Sequence, residues 1–144
     1  MVESEQDVAL QDTDRIEGRS ALVNNTNAAI ALAGAVRSTL GPRGSDKMLV
    51  DENGEIVVTN DGVTVLETAK VEHPTANLLI STSSAQDRIA RDGTTTSVLL
   101  TAELLRNALE LSRTGVHPTI IMNGYRIAVE ESLSQLEEIS REAL

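Results

Sequence analysis

The chain has no cysteine, no tryptophan and no phenylalanine, and Tyr125 is its single aromatic residue. Without cysteine there is neither a disulfide framework nor a thiolate metal site. Without aromatic platforms there is nothing for nucleic-acid bases to stack on. A net charge of −10 repels phosphate backbones as well, so nucleic acid is not an expected partner. Positive charge is scarce: Lys47 and Lys70 are the only lysines, beside ten arginines and against 22 acidic residues. Such a surface stays soluble through self-repulsion that concentrated salt would screen, and it points to a halophilic microbial cytoplasm. No charged-then-apolar leader opens the chain, and no apolar run approaches the ~20 residues that span a bilayer. The expectation is a soluble, cytoplasmic protein with no membrane partner.

What is present suits one helical domain. A chain of 144 residues with 40% hydrophobic content can bury a real core, here built from Ala, Val, Leu and Ile. Residues 1–18 are acid-rich, and Val8, Leu10 and Ile16 are too scattered to make a face, which reads as a flexible arm. From about Arg19 the apolar positions Leu22, Ala29, Leu32, Ala33, Val36 and Leu40 recur at threes and fours. That helix must stop at Gly41-Pro42, a turn-permissive glycine before a residue that cannot continue it. Met48–Val50 and Ile56–Thr59 are β-branched-rich runs joined through Asn53-Gly54, a strong hairpin signal. Asn60-Asp61-Gly62 then leads into a short helix, where a carboxylate either caps the helix or reaches into a site.

His73-Pro74 and His117-Pro118 each break the chain before a helix, and both histidines read as turn residues rather than metal ligands. Between them Leu78, Leu79, Thr82, Ala85 and Ile89 trace a narrow apolar face. A helix from Thr94 to about Arg113 follows, apolar around most of its circumference, and Gly115 ends it. In the last helix Ile121, Tyr125, Ala128, Leu136, Ile139 and Ala143 share a face.

The most informative stretch is Arg91-Asp92-Gly93-Thr94-Thr95-Thr96-Ser97, directly before the apolar run of the central helix. A helix start gathers unsatisfied N–H donors and the positive end of the helix dipole, which together attract an anion. Gly93 lets a ligand approach the backbone, and Asp92 supplies the kind of oxygen that magnesium needs beside a phosphate. A plain helix cap also accounts for Asp, Ser or Thr here. A cap needs one such residue, whereas three β-branched threonines in one first turn lower helix propensity, and on this stretch alone both readings stand. No Ser-His-Asp or paired-carboxylate arrangement can be assembled.

These stretches occur together and in one order: Ala35-Val36-Arg37-Ser38-Thr39-Leu40-Gly41-Pro42-Arg43-Gly44, Asp46-Lys47-Met48-Leu49-Val50-Asp51, Ile56-Val57-Val58-Thr59-Asn60-Asp61-Gly62, Asp92-Gly93-Thr94-Thr95-Thr96, Val116-His117-Pro118-Thr119-Ile120-Ile121 and Gly124-Tyr125-Arg126. Over residues 20–144 the chain thereby resembles the group II chaperonins, the archaeal thermosome and the eukaryotic cytosolic chaperonin. The resemblance implies a mainly α fold: a chaperonin equatorial-domain-like helical bundle with a small β-hairpin, incomplete relative to the family, over residues 19–144. It implies ATP and Mg2+ as cofactors in chaperonin-type, ATP-driven protein folding. Leu40, Gly41 and Pro42 would line the nucleotide, Gly93, Thr94, Thr95 and Thr96 would cradle the phosphates, and Asp92 would be the magnesium ligand. Asp61 would be the catalytic residue that orients the attacking water. Partners would be other chaperonin subunits in a ring, with unfolded clients held by domains outside this stretch.

Three departures qualify the resemblance. Arg91 stands where family members generally carry glycine, and its guanidinium could add a phosphate contact or disturb the turn. The acidic residue common just upstream is absent from Arg88-Ile89-Ala90. Family chains are also several times longer and take a further catalytic carboxylate from an intermediate domain. The expectation is therefore a fragment or short relative that binds ATP but hardly turns it over. The alternative is a truncated structural or regulatory module that joins full-length rings without hydrolysing ATP.

Overall fold

The computed structural model describes residues 16–50, 53–69 and 71–141. Most of the acidic arm assigned to residues 1–18 lies outside the described residues, as does Ala143. Among the described residues five α-helices and one hairpin follow in order: α1 (Gly18–Val36), β1 (Lys47–Val50), β2 (Ile56–Thr59), α2 (Gly62–Thr68), α3 (Pro74–Ala90), α4 (Thr94–Arg113) and α5 (Pro118–Ile139). The fold is the expected helical bundle with a small hairpin.

The punctuation residues act where their chemistry requires. After Val36 the chain tightens into a 3-10 turn over Arg37–Thr39, and Thr39 Oγ1 donates to Val36 O at 2.8 Å. Gly41 follows at φ 85, a left-handed conformation that glycine adopts without a Cβ penalty. Gly44 is held as glycine by close approach, because a Cβ there would collide with the carbonyl of Thr39. The hairpin is antiparallel, pairing Lys47 with Thr59 and Val50 with Ile56. Pro74 and Pro118 sit in the first turns of α3 and α5, and each preceding histidine is the N-cap. His73 Nδ1 accepts the Thr75 N–H at 3.2 Å, and His117 Nδ1 accepts the Thr119 N–H at 3.3 Å. The two His-Pro breaks are thus built alike.

Helix α4 is the axis of the bundle, packed on both α1 and α3. The core joins Ala29, Leu32, Ala33 and Val36 of α1 to Val65 and Leu66 of α2, Ala76 and Leu79 of α3, and Val98 and Ala102 of α4. Small residues at these positions let helix axes come close, and dispersion then accumulates over many short contacts.

Two expected faces differ from those observed. On α3 the buried positions are Ala76, Leu79 and Ser83, while Leu78 and Ile89 are 67% and 86% exposed. The buried face of α3 is therefore the Ala76–Leu79–Ser83 stripe at spacings of three and four. On α5 only Ile121 is buried, and Leu136 and Ile139 face solvent. Tyr125 Oη donates to Leu104 O on α4 at 2.7 Å, tying the two helices together. Beyond that bond Leu100, Leu104, Val129 and Leu133 form an exposed apolar row along the α4–α5 groove. No helix among the described residues is long and apolar enough to cross a membrane.

Candidate functional site

Helix α3 ends in a left-handed residue, Arg91 at φ 53, and α4 begins from another, Gly93 at φ 75. Arg91 is the one non-glycine with positive φ among the described residues. Of the two alternatives for Arg91, disturbance of the turn does not occur: the turn forms, with Arg91 N donating to Asp87 O at 2.9 Å. Between the two left-handed residues stands Asp92. Its Oδ1 accepts the Gly93 N–H at 2.7 Å, which fixes the carboxylate at the mouth of α4. Its main-chain oxygen accepts from Gln86 Nε2 at 3.1 Å.

The first turn of α4 keeps its donors. Gly93 offers no side chain to cap the helix, and the N–H groups of Thr94, Thr95 and Thr96 lack intrahelical acceptors. By contrast α2, α3 and α5 each have a capping side chain. Thr95 is buried, Thr96 is exposed and Thr94 lies between. Ser97 Oγ donates to Thr94 O at 2.7 Å, and Ser83 Oγ reaches the same oxygen from α3 at a longer 3.4 Å.

Asp61 caps α2. Its Oδ2 accepts the Thr64 N–H at 2.9 Å and the Thr64 hydroxyl at 2.6 Å, while its own N–H donates to Thr59 Oγ1 at 3.1 Å. The Thr64 hydroxyl, and after it the Thr64 N–H, hold the Asp61 carboxyl below its ordinary pKa, against a smaller opposing effect of burial. This carboxylate is ionised and a weak base. It is suited to accepting hydrogen bonds more than to taking protons.

The next residue carries Asp61 to α4. A Cβ at Gly62 would overlap Thr95 Oγ1, so the start of α2 rests directly on the first turn of α4. Asp61 and the Gly93–Thr96 stretch are thereby brought to one end of the bundle. Leu40, Gly41 and Pro42 are exposed residues of the turn after α1, and that region meets α4 through the 3-10 turn. Arg37 of that turn donates to Glu103 Oε1 at 2.9 Å, further along α4 than the threonines.

Thr64 and Gln86 were not singled out by the sequence reading. The Asp-x-x-Thr spacing at Asp61 could have marked Thr64 as a capping partner. Gln86 gives no local signal, because its partner lies across a chain reversal.

For a magnesium ion the donor set is small. No cluster of three or more His, Cys, Asp or Glu side chains poised for a metal occurs among the described residues.

Comparison with solved structures identifies the architecture. The fold matches a structure titled "Crystal structure of group III chaperonin in the open state" with a TM-score of 0.80 and 36% identity, over 85% of this chain and 25% of that one. Among curated relatives, thermosome subunit alpha of Thermoplasma acidophilum is 51% identical over 136 residues, covering 94% of this chain and 25% of the relative. Thermosome subunit beta of Archaeoglobus fulgidus is 52% identical over 130 residues, covering 90% and 24%. Residues 32–144 match the TCP-1/cpn60 chaperonin family, and the chain belongs to it. The thermosome relatives bear out the group II resemblance, and the chain spans about a quarter of their length.

Proposed function

We propose that this chain is the nucleotide-binding part of a chaperonin-type protein-folding machine, binding ATP together with magnesium at the start of α4. The observation that supports this best is the uncapped first turn of α4, with Asp92 and Asp61 gathered at that end. The N–H groups and hydroxyls of Thr94, Thr95 and Thr96 would hold the phosphates, with Gly93 allowing close approach. Asp92 would hold the metal, whose charge neutralises phosphate oxygens. Leu40, Gly41 and Pro42 would flank the nucleotide. Asp61 would orient a water by accepting its hydrogen bond, the role that its lowered pKa fits. Partners in this reading are other chaperonin subunits in a ring and, through them, unfolded proteins, in an archaeal, halophilic cytoplasm.

Thermal melting with ATP, with and without magnesium, tests the reading. At a hundred times the dissociation constant, ligand binding adds about 2.7 kcal/mol of stability, a readily measured shift. Asp92→Ala should abolish the magnesium-dependent shift and leave the nucleotide-free melting temperature nearly unchanged. An undiminished shift in that variant would remove Asp92 from the metal site.

The exposed apolar row on α4 and α5 favours a second reading, a module that joins full-length chaperonin rings without hydrolysing ATP. Co-purification with such a ring, under conditions where no nucleotide binding is detected, would select it.

A further inference from the structure

Helix α3 does more than pack against α4. Two of its side chains, Ser83 and Gln86, lie one turn apart on the same face and reach across the chain reversal to the carbonyls on either side of Gly93. Ser83 Oγ approaches Thr94 O at 3.4 Å, and Gln86 Nε2 donates to Asp92 O at 3.1 Å. The Gln86 amide also underlies Gly93, since a Cβ there would lie 3.5 Å from Nε2. The segment so held carries a cost at Arg91, which is left-handed and has a Cβ, while Gly93 takes the same conformation without that penalty. The Arg91 N–H bond to Asp87 O closes the end of α3, and the Gln86 amide holds the Asp92–Gly93 peptide that follows.

We infer that Gln86 is a positioning residue for the metal-nucleotide site, acting by holding the Asp92 peptide. The bond to Asp92 O fixes the plane from which the Asp92 side chain leaves the backbone. The Gly93 N–H bond to Asp92 Oδ1 then sets the carboxylate direction. Loss of the amide donor frees this peptide to rotate, so the carboxylate and the α4 donors no longer address one point. Partners that orient a metal ligand commonly matter nearly as much as the ligand itself. Gln86 touches neither phosphate nor metal in this account. The inference rests on the proposed binding of ATP with magnesium.

The test uses the full chain and three variants, with the magnesium concentration for half-maximal thermal shift read at saturating ATP. Gln86→Met keeps length and removes the donor, Gln86→Glu replaces the donor with acceptors, and Gln86→Lys restores a donor of similar reach. Gln86→Met and Gln86→Glu should each raise the magnesium midpoint about tenfold. Gln86→Lys should recover most of it. The melting temperature without nucleotide is read in parallel. A lowered nucleotide-free melting temperature with an unchanged magnesium midpoint would make Gln86 merely structural and overturn the inference. An unchanged midpoint and unchanged stability would overturn it equally. If the unaltered chain shows no shift with ATP and magnesium, the failure lies in the proposed function, and that outcome removes the inference along with it.

Discussion

Gly62 at the start of α2 lies so close to Thr95 in the first turn of α4 that a methyl group on Gly62 would overlap the Thr95 hydroxyl. This one approach joins the turn that carries Asp61 to the helix end that carries the free donors. Gly62→Ala should therefore destabilise the chain by ~1–3 kcal/mol, the usual cost of overpacking. Gly124 in α5 makes the control, since a Cβ there meets nothing within 4 Å. Gly124→Ala should stabilise by up to ~1 kcal/mol through helix propensity. Denaturant titration of both variants checks the pair, and a neutral Gly62→Ala would mean that α2 can draw away from α4 freely.

Asp61 links the cap of α2 to acid stability. Its folded pKa is lowered, chiefly by the Thr64 hydroxyl, so the unfolded chain takes up its proton first as pH falls. The stabilising contribution is full above the unfolded value near pH ~4 and is lost as pH falls through the lower folded value. Thr64→Ala removes the largest cause and leaves the N–H bond in place. The variant should lose less stability than the parent between about pH 6 and about pH 3, read from urea midpoints at each pH. An identical acid limb in both proteins would assign the acid sensitivity to other carboxylates.

Arg91 occupies a left-handed position that favours glycine. Arg91→Gly relieves that cost and gains some unfolded-state entropy, leaving a net stabilisation of ~0.5–1 kcal/mol. Equilibrium unfolding decides it. A loss of stability would show that the arginine side chain makes compensating contacts. Nucleotide titration of the same variant shows separately whether the guanidinium contributes to phosphate binding.

Turnover of ATP by this chain should be negligible. Hydrolysis needs phosphate positioning, metal and an oriented water in a site from which bulk solvent is excluded. Asp61 is exposed, and one of its oxygens already accepts two hydrogen bonds from Thr64. An open site keeps a high dielectric, which weakens each electrostatic contact. Phosphate release at roughly millimolar ATP, a concentration at the top of ordinary KM values, should stay at background. Steady release that disappears in Asp61→Ala would show that Asp61 suffices.

Much of the fold was legible because it is written in local chemistry. Gly41-Pro42, Asn53-Gly54, His73-Pro74 and His117-Pro118 each act within a few residues of themselves, and each marks a boundary in the structure. The Gly93-Thr94 start and the Gly115 stop likewise bounded α4, from Thr94 to Arg113. The faces were harder to read. Leu78 and Ile89 look like core residues by hydrophobicity, yet the face that turns inward carries Ala76, Leu79 and Ser83. At the candidate site the sequence indicated Asp92, Gly93 and the threonines through their order. The joining of Asp61 to them through Gly62 is a tertiary contact with no local trace, while the Gln86 bond, six residues long, depends on the left-handed turn at Arg91.

The hydrogen bond from Tyr125 to Leu104 O has a practical consequence. With no tryptophan or phenylalanine in the chain, that ring is the sole near-ultraviolet chromophore. Its emission is a built-in optical gauge of a single joint, and it needs no label. Departure of α5 from α4 would register there directly. Melting of the core, which includes Val98 and Ala102 of α4, would register through α4.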